Sequence, residues 1–290
     1  MIREAKPEDT SIIDSMMTKK FKNGDYKRYR EKILKHDKCY ISLDQGEYTG
    51  MAYVEPKVLS LHDTLIKTSY IVDVVNADAI MDQLLSLLSR DDIITLVRTD
   101  NSESFEKFGF EPVVESFEYN LNTSLLSNFD VAGINLEPSN ESLVKVYQQF
   151  TRHFTGFFTR DTDYFERMKT ELSSYGGIIG FNVDDQLVAY IIYEIHDSVV
   201  HVRECCYLKS GHLLRLLSFI TRGKSRLILC ASVHEHMNRI LPDAKKVRKQ
   251  TIMARINDKE LFERLFHIKI ISAYSGFNAF AKPLWNQDIY

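Results

Sequence analysis

The sequence predicts an α/β (α+β) fold laid down twice in tandem, each copy a mixed, twisted sheet flanked by helices. Three observations carry this. Short β-branched runs alternate with stretches whose apolar residues recur at helical spacing. The segment 185–194 (DQLVAYIIYE) echoes 46–56 (GEYTGMAYVEP), and 213–220 (LLRLLSFI) echoes 81–88 (MDQLLSLL). Between the halves, residues 122–133 (NTSLLSNFDVAG) lose both periodicities and read as a polar connection. The expected organisation is a first domain over 1–125, a second over 134–270, and a tail, 271–290, that docks on its own protein.

In the first half, Ile2-Arg3-Glu4-Ala5 is a short strand. Pro7 opens a helix where its missing N–H does no harm, with Ile12, Ile13, Met16 and Met17 on one face. A second helical patch runs from Tyr26 to Leu34. Cys39 to Leu43 and Tyr48 to Val54 form a hairpin around Asp44-Gln45-Gly46. The strand continues past Pro56 to Leu61, turns at His62-Asp63 and returns as Leu65 to Val75. A helix follows Asn76, then a buried strand at Ile93 to Val97, a short helix from Ser102 to Phe108 and a long strand from Val113 to Leu121.

The second half repeats the order. Ile134-Asn135-Leu136 is a strand, and Glu141 to Phe150 and Thr162 to Leu172 are helices, the latter capped at Asp161 or Thr162. Gly177 to Asn182 and Leu187 to Ile195 form a hairpin around Asp184-Asp185, beside which Val199 to Tyr207 returns. Helix Leu213 to Ile220, strand Leu227 to Cys230, helix Glu235 to Leu241, strand Thr251 to Arg255 and helix Asp258 to Phe266 complete it. In the tail, Pro283 excludes helix, and Phe277, Phe280, Leu284 and Trp285 are expected to cover a groove.

Hydrophobic residues at 44% and charged residues at 27% suit a globular chain with a substantial core. A net charge of −3 supplies no global field to recruit nucleic acid or an anionic membrane. The local run Lys245-Lys246-Val247-Arg248-Lys249 reads as a solvated loop. No apolar run reaches bilayer-spanning length, and acids stand in MIREAKPEDTS where a signal peptide has its apolar core. A cytoplasmic location is therefore expected, with no membrane or nucleic-acid partner. The four cysteines lack CxxC spacing, and adjacent Cys205 and Cys206 read as small core residues on opposite strand faces.

Residues 69–90 organise the first half. Tyr70 to Val75 suits a strand buried on both faces, Asn76 offers a helix N-cap, and Ile80, Met81, Leu84, Leu85, Leu87 and Leu88 line the helix that follows. Such a unit aims the free N–H groups and positive dipole end of a helix beyond the strand, in many enzymes at a phosphate.

That order of helices and strands resembles the GCN5-related N-acetyltransferases. Gly50-Met51-Ala52-Tyr53, the hairpin VLSLHDTLIKTSYI, and Phe105-Glu106-Lys107-Phe108-Gly109-Phe110 with Tyr119 are similar to the enhanced-intracellular-survival branch, which carries tandem acetyltransferase domains. In the second half FFTRDTDYFERM and MARINDKELFERL resemble the same branch. The branch adds a sterol-carrier-like domain, which is not expected within these 290 residues. The resemblance implies transfer of acetyl from acetyl-coenzyme A to the amine of a small molecule or peptide, without a metal, and raises a homo-oligomer as an expectation. It implies that the backbone of Ile71, Val72, Asp73, Val74 and Val75 pairs with the pantetheine arm. The turn Asn76, Ala77, Asp78 and Ala79 would lie at the pyrophosphate.

The chain departs from the family at three places. Its turn holds no glycine or arginine where the family has R/Q-x-x-G-x-G/A, glycines that let the backbone approach an anion. Asp78, in the first helical turn, gains about 0.3–1 kcal/mol from the dipole and would meet a pyrophosphate as a like charge. Phe105 stands where the family has a tyrosine whose phenol protonates the leaving thiolate; phenylalanine keeps the packing and lacks the donor. In three-domain relatives a terminal carboxylate acts as base, and the carboxylate of Tyr290 is the corresponding candidate. The second half offers only Gly211 in CCYLKSGH, a turn residue.

Two readings follow, an N-acetyltransferase with an altered coenzyme site and a catalytically inactive binding or scaffold protein of the same fold. Tandem domains of this fold also use aminoacyl-tRNA, against which the acidic balance argues. Elsewhere, His234-Glu235-His236 lacks a third ligand for a metal and sits where a strand passes into a helix. His196 and His201 flank an exposed turn, and Glu204, mid-strand among apolar residues, is either paired in the core or facing a cleft.

Overall fold

Three tight hairpins give the sheets their antiparallel character in the computed structural model, which describes residues 1–20, 38–99, 101–126 and 129–288. Gln45-Gly46, His62-Asp63 and Asp184-Asp185 all have positive φ at both central positions, the backbone twist that matches flanking strands. Gly46 supplies it freely, and aspartate tolerates it at Asp63, Asp184 and Asp185.

In chain order the elements are β1 (Ile2–Glu4), α1 (Thr10–Lys20), β2 (Lys38–Asp44), β3 (Glu47–Leu61), β4 (Thr64–Val75), α2 (Ala77–Leu88), β5 (Ile94–Thr99), α3 (Glu103–Glu106) and β6 (Glu111–Asn122). Then come β7 (Ile134–Asn135), α4 (Asn140–Thr151), β8 (Phe157–Phe158), α5 (Thr162–Leu172), β9 (Gly176–Val183), β10 (Gln186–His196), β11 (Val199–Tyr207) and α6 (Ser210–Ile220). The chain continues through β12 (Arg226–Ser232), β13 (Lys245–Ile256), α7 (Lys259–Phe266) and α8 (Ala273–Phe277). No helix among the described residues is long and apolar enough to cross a membrane. The helical patch expected at Tyr26 to Leu34 lies outside the described residues.

The chain divides into two compact units. Of the described residues, unit 1 comprises Met1–Val113 and Thr251–Ala281; unit 2 comprises Val114–Gln250 and the tail from Lys282 to Asp288. The expected segments 1–125, 134–270 and 271–290 do not coincide with these units, and the reason lies in two strands. β6 pairs with β12 from Ser116 to Asn122, so it belongs with the second half. The end of β13 pairs with β5, Thr251 opposite Thr99 through Ile256 opposite Ile94, so it belongs with the first.

Unit 1 has strand order β1-β2-β3-β4-β5-β13, antiparallel except for β4 beside β5. Alternate residues feed two cores. Tyr40, Ala52, Val54 and Ile71 face Ile80, Met81, Leu84, Leu85 and Leu88 of α2. Ile41, Met51 and Tyr53 face Ile13 and Met17 of α1. Each fully buried leucine contributes about 1.5–3 kcal/mol, which is why a twelve-residue helix with only a weak cap is stable here.

Unit 2 has order β6-β12-β11-β10-β9-β7 and the same two-faced burial. Ile179, Ile191 and Cys205 meet α6 on one face; Ile178, Ile192 and Cys206 meet α4 and α5 on the other. Cys205 and Cys206 are thus small core residues pointing opposite ways, as strand geometry requires.

Two further expectations are corrected. Instead of a helix from Glu235 to Leu241 there are 3-10 turns at Val233–Glu235 and Met237–Arg239, separated by His236 at φ 50°. The basic run at Lys245 to Lys249 is strand, since β6 offers partners: Arg248 pairs with Glu115, Lys249 Nζ lies 3.8 Å from Glu118, and Lys246 Nζ lies 4.9 Å from the Phe117 ring.

Candidate functional site: the parting of β4 from β5

β4 and β5 pair in parallel through only three positions, Ser69 with Thr95, Tyr70 with Leu96 and Ile71 with Val97. Beyond Ile71 and Val97 the described residues of the two strands share no register pair, although β4 runs on to Val75 and β5 to Thr99. The cause sits in β4. Its pairing with β3 shifts between Tyr53 opposite Asp73 and Val54 opposite Ile71, leaving Val72 as the extra residue of a bulge. A bulge bends its strand and increases its local twist. The strand is therefore bent at Val72, and Val72, Asp73, Val74 and Val75 share no register pair with the described residues of β5.

At the head of this opening, β3 approaches the turn very closely. A Cβ on Gly50 would stand 3.0 Å from Asn76 O and 3.1 Å from Val75 O, so only glycine permits this spacing without a shift. Asn76 adopts the left-handed conformation (φ 54°, ψ 66°), and its side chain makes no cap bond to α2. Instead Nδ2 donates to Thr49 O at 2.6 Å, fastening the turn to β3. Asn76 is thus a tether and not the side-chain cap expected from sequence. Ala79 N–H turns back to Asn76 O at 3.0 Å.

Asp78, in the first turn of α2, is engaged as well. Its exposed carboxylate takes the ammonium of Lys107, the residue that closes α3. A pair this exposed is worth little in stability, so it yields easily to a stronger anion. Lys107 thereby places a cation beside the turn, which the sequence reading missed; its position two residues beyond Phe105 was the available signal. Phe105 packs edge-on to Phe110 at 6.0 Å between ring centres, at the margin of the α2 core. Tyr290 lies outside the described residues.

Unit 2 repeats the construction. β11 and β12 pair in parallel only from Val199–Arg226 to Val202–Leu229. β10 opposes Glu204 with Ile192 and Val202 with Tyr193, so Arg203 is the bulged residue where unit 1 has Val72. Buried Glu204 thus corresponds to buried Asp73. Glu204 is paired: Arg160 Nη1 donates to its Oε1 at 2.6 Å and Tyr190 O–H donates to the same oxygen at 2.7 Å. The Arg160 guanidinium lies 4.4 Å from the ring centre of Tyr147 and 4.2 Å from that of Tyr164. Burial works against its charge, but the Glu204 carboxylate holds it protonated. Glu235 sits nearby with Oε1 accepting from Ser232 N–H at 2.8 Å, and burial pushes its carboxyl up to about 8. Sequence reasoning saw Arg160 in a family-like motif without seeing these partners, which come from β10, β11, α4 and α5.

The fold matches that of solved GCN5-related N-acetyltransferases, which the sequence resembles. A conserved Enterococcus faecalis protein described as a probable N-acyltransferase matches with TM-score 0.77 at 18% identity, over 91% of this chain and 74% of that one. A GCN5-related N-acetyltransferase of Anabaena variabilis matches with TM-score 0.73 at 16% identity, over 89% and 73%. Eis1 of Mycobacterium abscessus matches with TM-score 0.60 at 12% identity, over 91% and 75%. At such identities the likeness is one of fold. No protein-family model and no curated protein matches the chain.

Proposed function

We propose that the chain is an N-acyltransferase that takes acetyl-coenzyme A as co-substrate in unit 1 and passes the acetyl group to the amine of a small molecule or peptide. The observation that carries this reading is the parting of β4 from β5 at the Val72 bulge, which leaves an extended backbone edge of a length and polarity suited to an amide-containing arm. When bound, the coenzyme supplies a thioester whose carbonyl carbon is the electrophile. The chain's part is positional. Backbone groups from Val72 to Val75 would orient the arm. Phe105 excludes water and gives no proton. A thiol titrates near about 8.5, so its thiolate leaves tolerably without a general acid, and the missing phenol slows the reaction without forbidding it.

The fit is good along the arm and poor at the pyrophosphate. Asn76, Ala77, Asp78 and Ala79 form a turn held by the Asn76 tether, with no glycine cradle. Lys107 offers the one compensating charge identified at this turn, released when Asp78 gives it up. Weak coenzyme binding follows, with Kd on the order of 100 μM or above.

Calorimetric titration with acetyl-coenzyme A, joined to an assay of free thiol released with polyamines, aminoglycosides and lysine peptides, tests this. Saturable binding with amine-dependent thiol release is expected; absence of heat at millimolar coenzyme sinks the reading. Phe105 and the glycine-free turn favour an inactive binding protein of the same fold. Binding without turnover across the amine panel selects that alternative.

A further inference from the structure

In unit 2 the chain's own C-terminal segment lies at the end of β12 and, through Arg160, beside Glu204 of β11. From Leu284 to Asp288 every residue is buried, with Trp285 at 0% and Asp288 at 2% exposure. The segment is extended and pairs in parallel with the chain after α4. Thr155 N–H donates to Pro283 O at 3.0 Å and Trp285 N–H donates to Thr155 O at 2.9 Å. Asn286 Nδ2 adds a bond to Gly156 O at 3.1 Å. Gly156 has φ +78°, and a Cβ there would stand 2.7 Å from Leu284 Cδ2, so this wall is shaped to the segment.

β12 holds it directly and β11 through Arg160. Ser232 Oγ, at the end of β12, donates to Leu284 O at 3.1 Å. Arg160 donates to Glu204 of β11 through Nη1 and to Asp288 Oδ1 through Nη2, each at 2.6 Å, with all three side chains at most 3% exposed. Trp285 packs on Tyr147, Phe150 and Phe154 at ring separations of 5.9, 5.4 and 6.1 Å, and its Nε1–H donates to Glu235 Oε1 at 2.9 Å. A cation clasped between two tyrosines and offered to two carboxylates, beside an indole pocket with its own acceptor, is a recognition surface. It specifies three features: an extended backbone, an indole, and a carboxylate three residues later.

We propose that this surface is a peptide-binding slot for an extended Trp-x-x-Asp segment and that Pro283 to Asp288 is its resident ligand. The slot itself does not depend on the coenzyme reading. A consequence that does rest on that reading is one coenzyme site per chain, because the equivalent strands of unit 2 are engaged by the tail, β12 directly and β11 through Arg160.

Trp285 is the only tryptophan in the chain. In a full-length Trp285→Ala/Asp288→Ala variant, an added peptide of residues 282–288 therefore supplies the only indole signal. The expected result is a saturable blue shift of the peptide's emission with one peptide bound per chain. The Asp288→Ala peptide is expected to bind at least about tenfold more weakly, having lost its charge-assisted bond. A variant that melts cooperatively and gives no blue shift overturns the proposal. If the variant fails to fold, an otherwise wild-type chain with a protease site placed at exposed Asn278 to Ala281 gives a second readout. After cleavage the tail is expected to co-elute with the protein and exchange with labelled 282–288 peptide; no exchange overturns the proposal. Neither assay contains coenzyme, so loss of the coenzyme reading leaves these outcomes intact.

Discussion

Asp78 and Glu235 are two carboxylates whose surroundings send them opposite ways. Asp78 is exposed and shares its charge with Lys107 across the turn that meets the pyrophosphate in the proposed function. Removing that charge takes away a like-charge contact worth on the order of 1 kcal/mol, so Asp78→Asn is expected to tighten acetyl-coenzyme A binding about fivefold. Calorimetry at low and high salt checks this, and the gain should shrink as salt rises. Glu235 is buried, with a carboxyl pushed up to about 8 from its usual 4.5. Between those values the unfolded chain has lost a proton that the folded chain retains. Stability from this group is therefore complete below the unfolded value and falls as pH rises, by about 1.4 kcal/mol per unit, levelling off above the folded value. Glu235→Gln keeps an acceptor for Ser232 and Trp285 and removes the titration. Urea unfolding at pH 5.5 and 7.5 should show wild type losing stability over that interval relative to the variant. Equal slopes would show that Glu235 does not carry the effect.

At the scale of elements, the site is made by a strand that leaves its neighbour, and that is the feature least visible in sequence. The β-branched run from Tyr70 to Val75, the helix after it and the hairpin turns are legible, because periodicity and turn chemistry are local. The bulge at Val72 is not, since it exists only as a mismatch of register with β3. The same holds for Asn76, legible as a helix start but not as a donor to Thr49 O, and for Lys107, whose partner is 29 residues away. Gly50 is the exception, where a single residue type betrays a close approach. Gly50→Ala would press a methyl against Val75 O and Asn76 O at about 3 Å, forcing the end of β4 and the start of α2 apart. Overpacking of this kind costs about 1–3 kcal/mol. The expected outcome is a lower Tm together with coenzyme binding weakened beyond what a distant mutation of equal stability cost produces. Retained affinity at reduced Tm would place the contact outside the site.

At the scale of the whole molecule, the chain is two units that trade strands, so cutting it where the sequence turns polar should not separate them. Residues 1–125 carry β1 to β5 but leave out Thr251 to Ile256, the strand that covers β5. They also leave out Met253, wholly buried in the α2 core, and the buried Phe262 and Phe277 beyond it. Without them β5 becomes a bare edge rich in Ile, Leu and Val, and the core against α2 loses a wall; such an edge pairs with other chains. The fragment 1–125 is accordingly expected to aggregate or to give a narrow, unfolded amide spectrum. A fusion of residues 1–113 through a short flexible linker to 251–281 restores the missing strand and is expected to melt cooperatively. The polar stretch at 122–133 hid this because a strand's unit is decided by the ladder it joins, here β12 for β6, and not by where the chain next becomes hydrophilic. A cooperative melt for 1–125 alone would show that the first half closes its core without the returning strand, and would overturn the division into interleaved units.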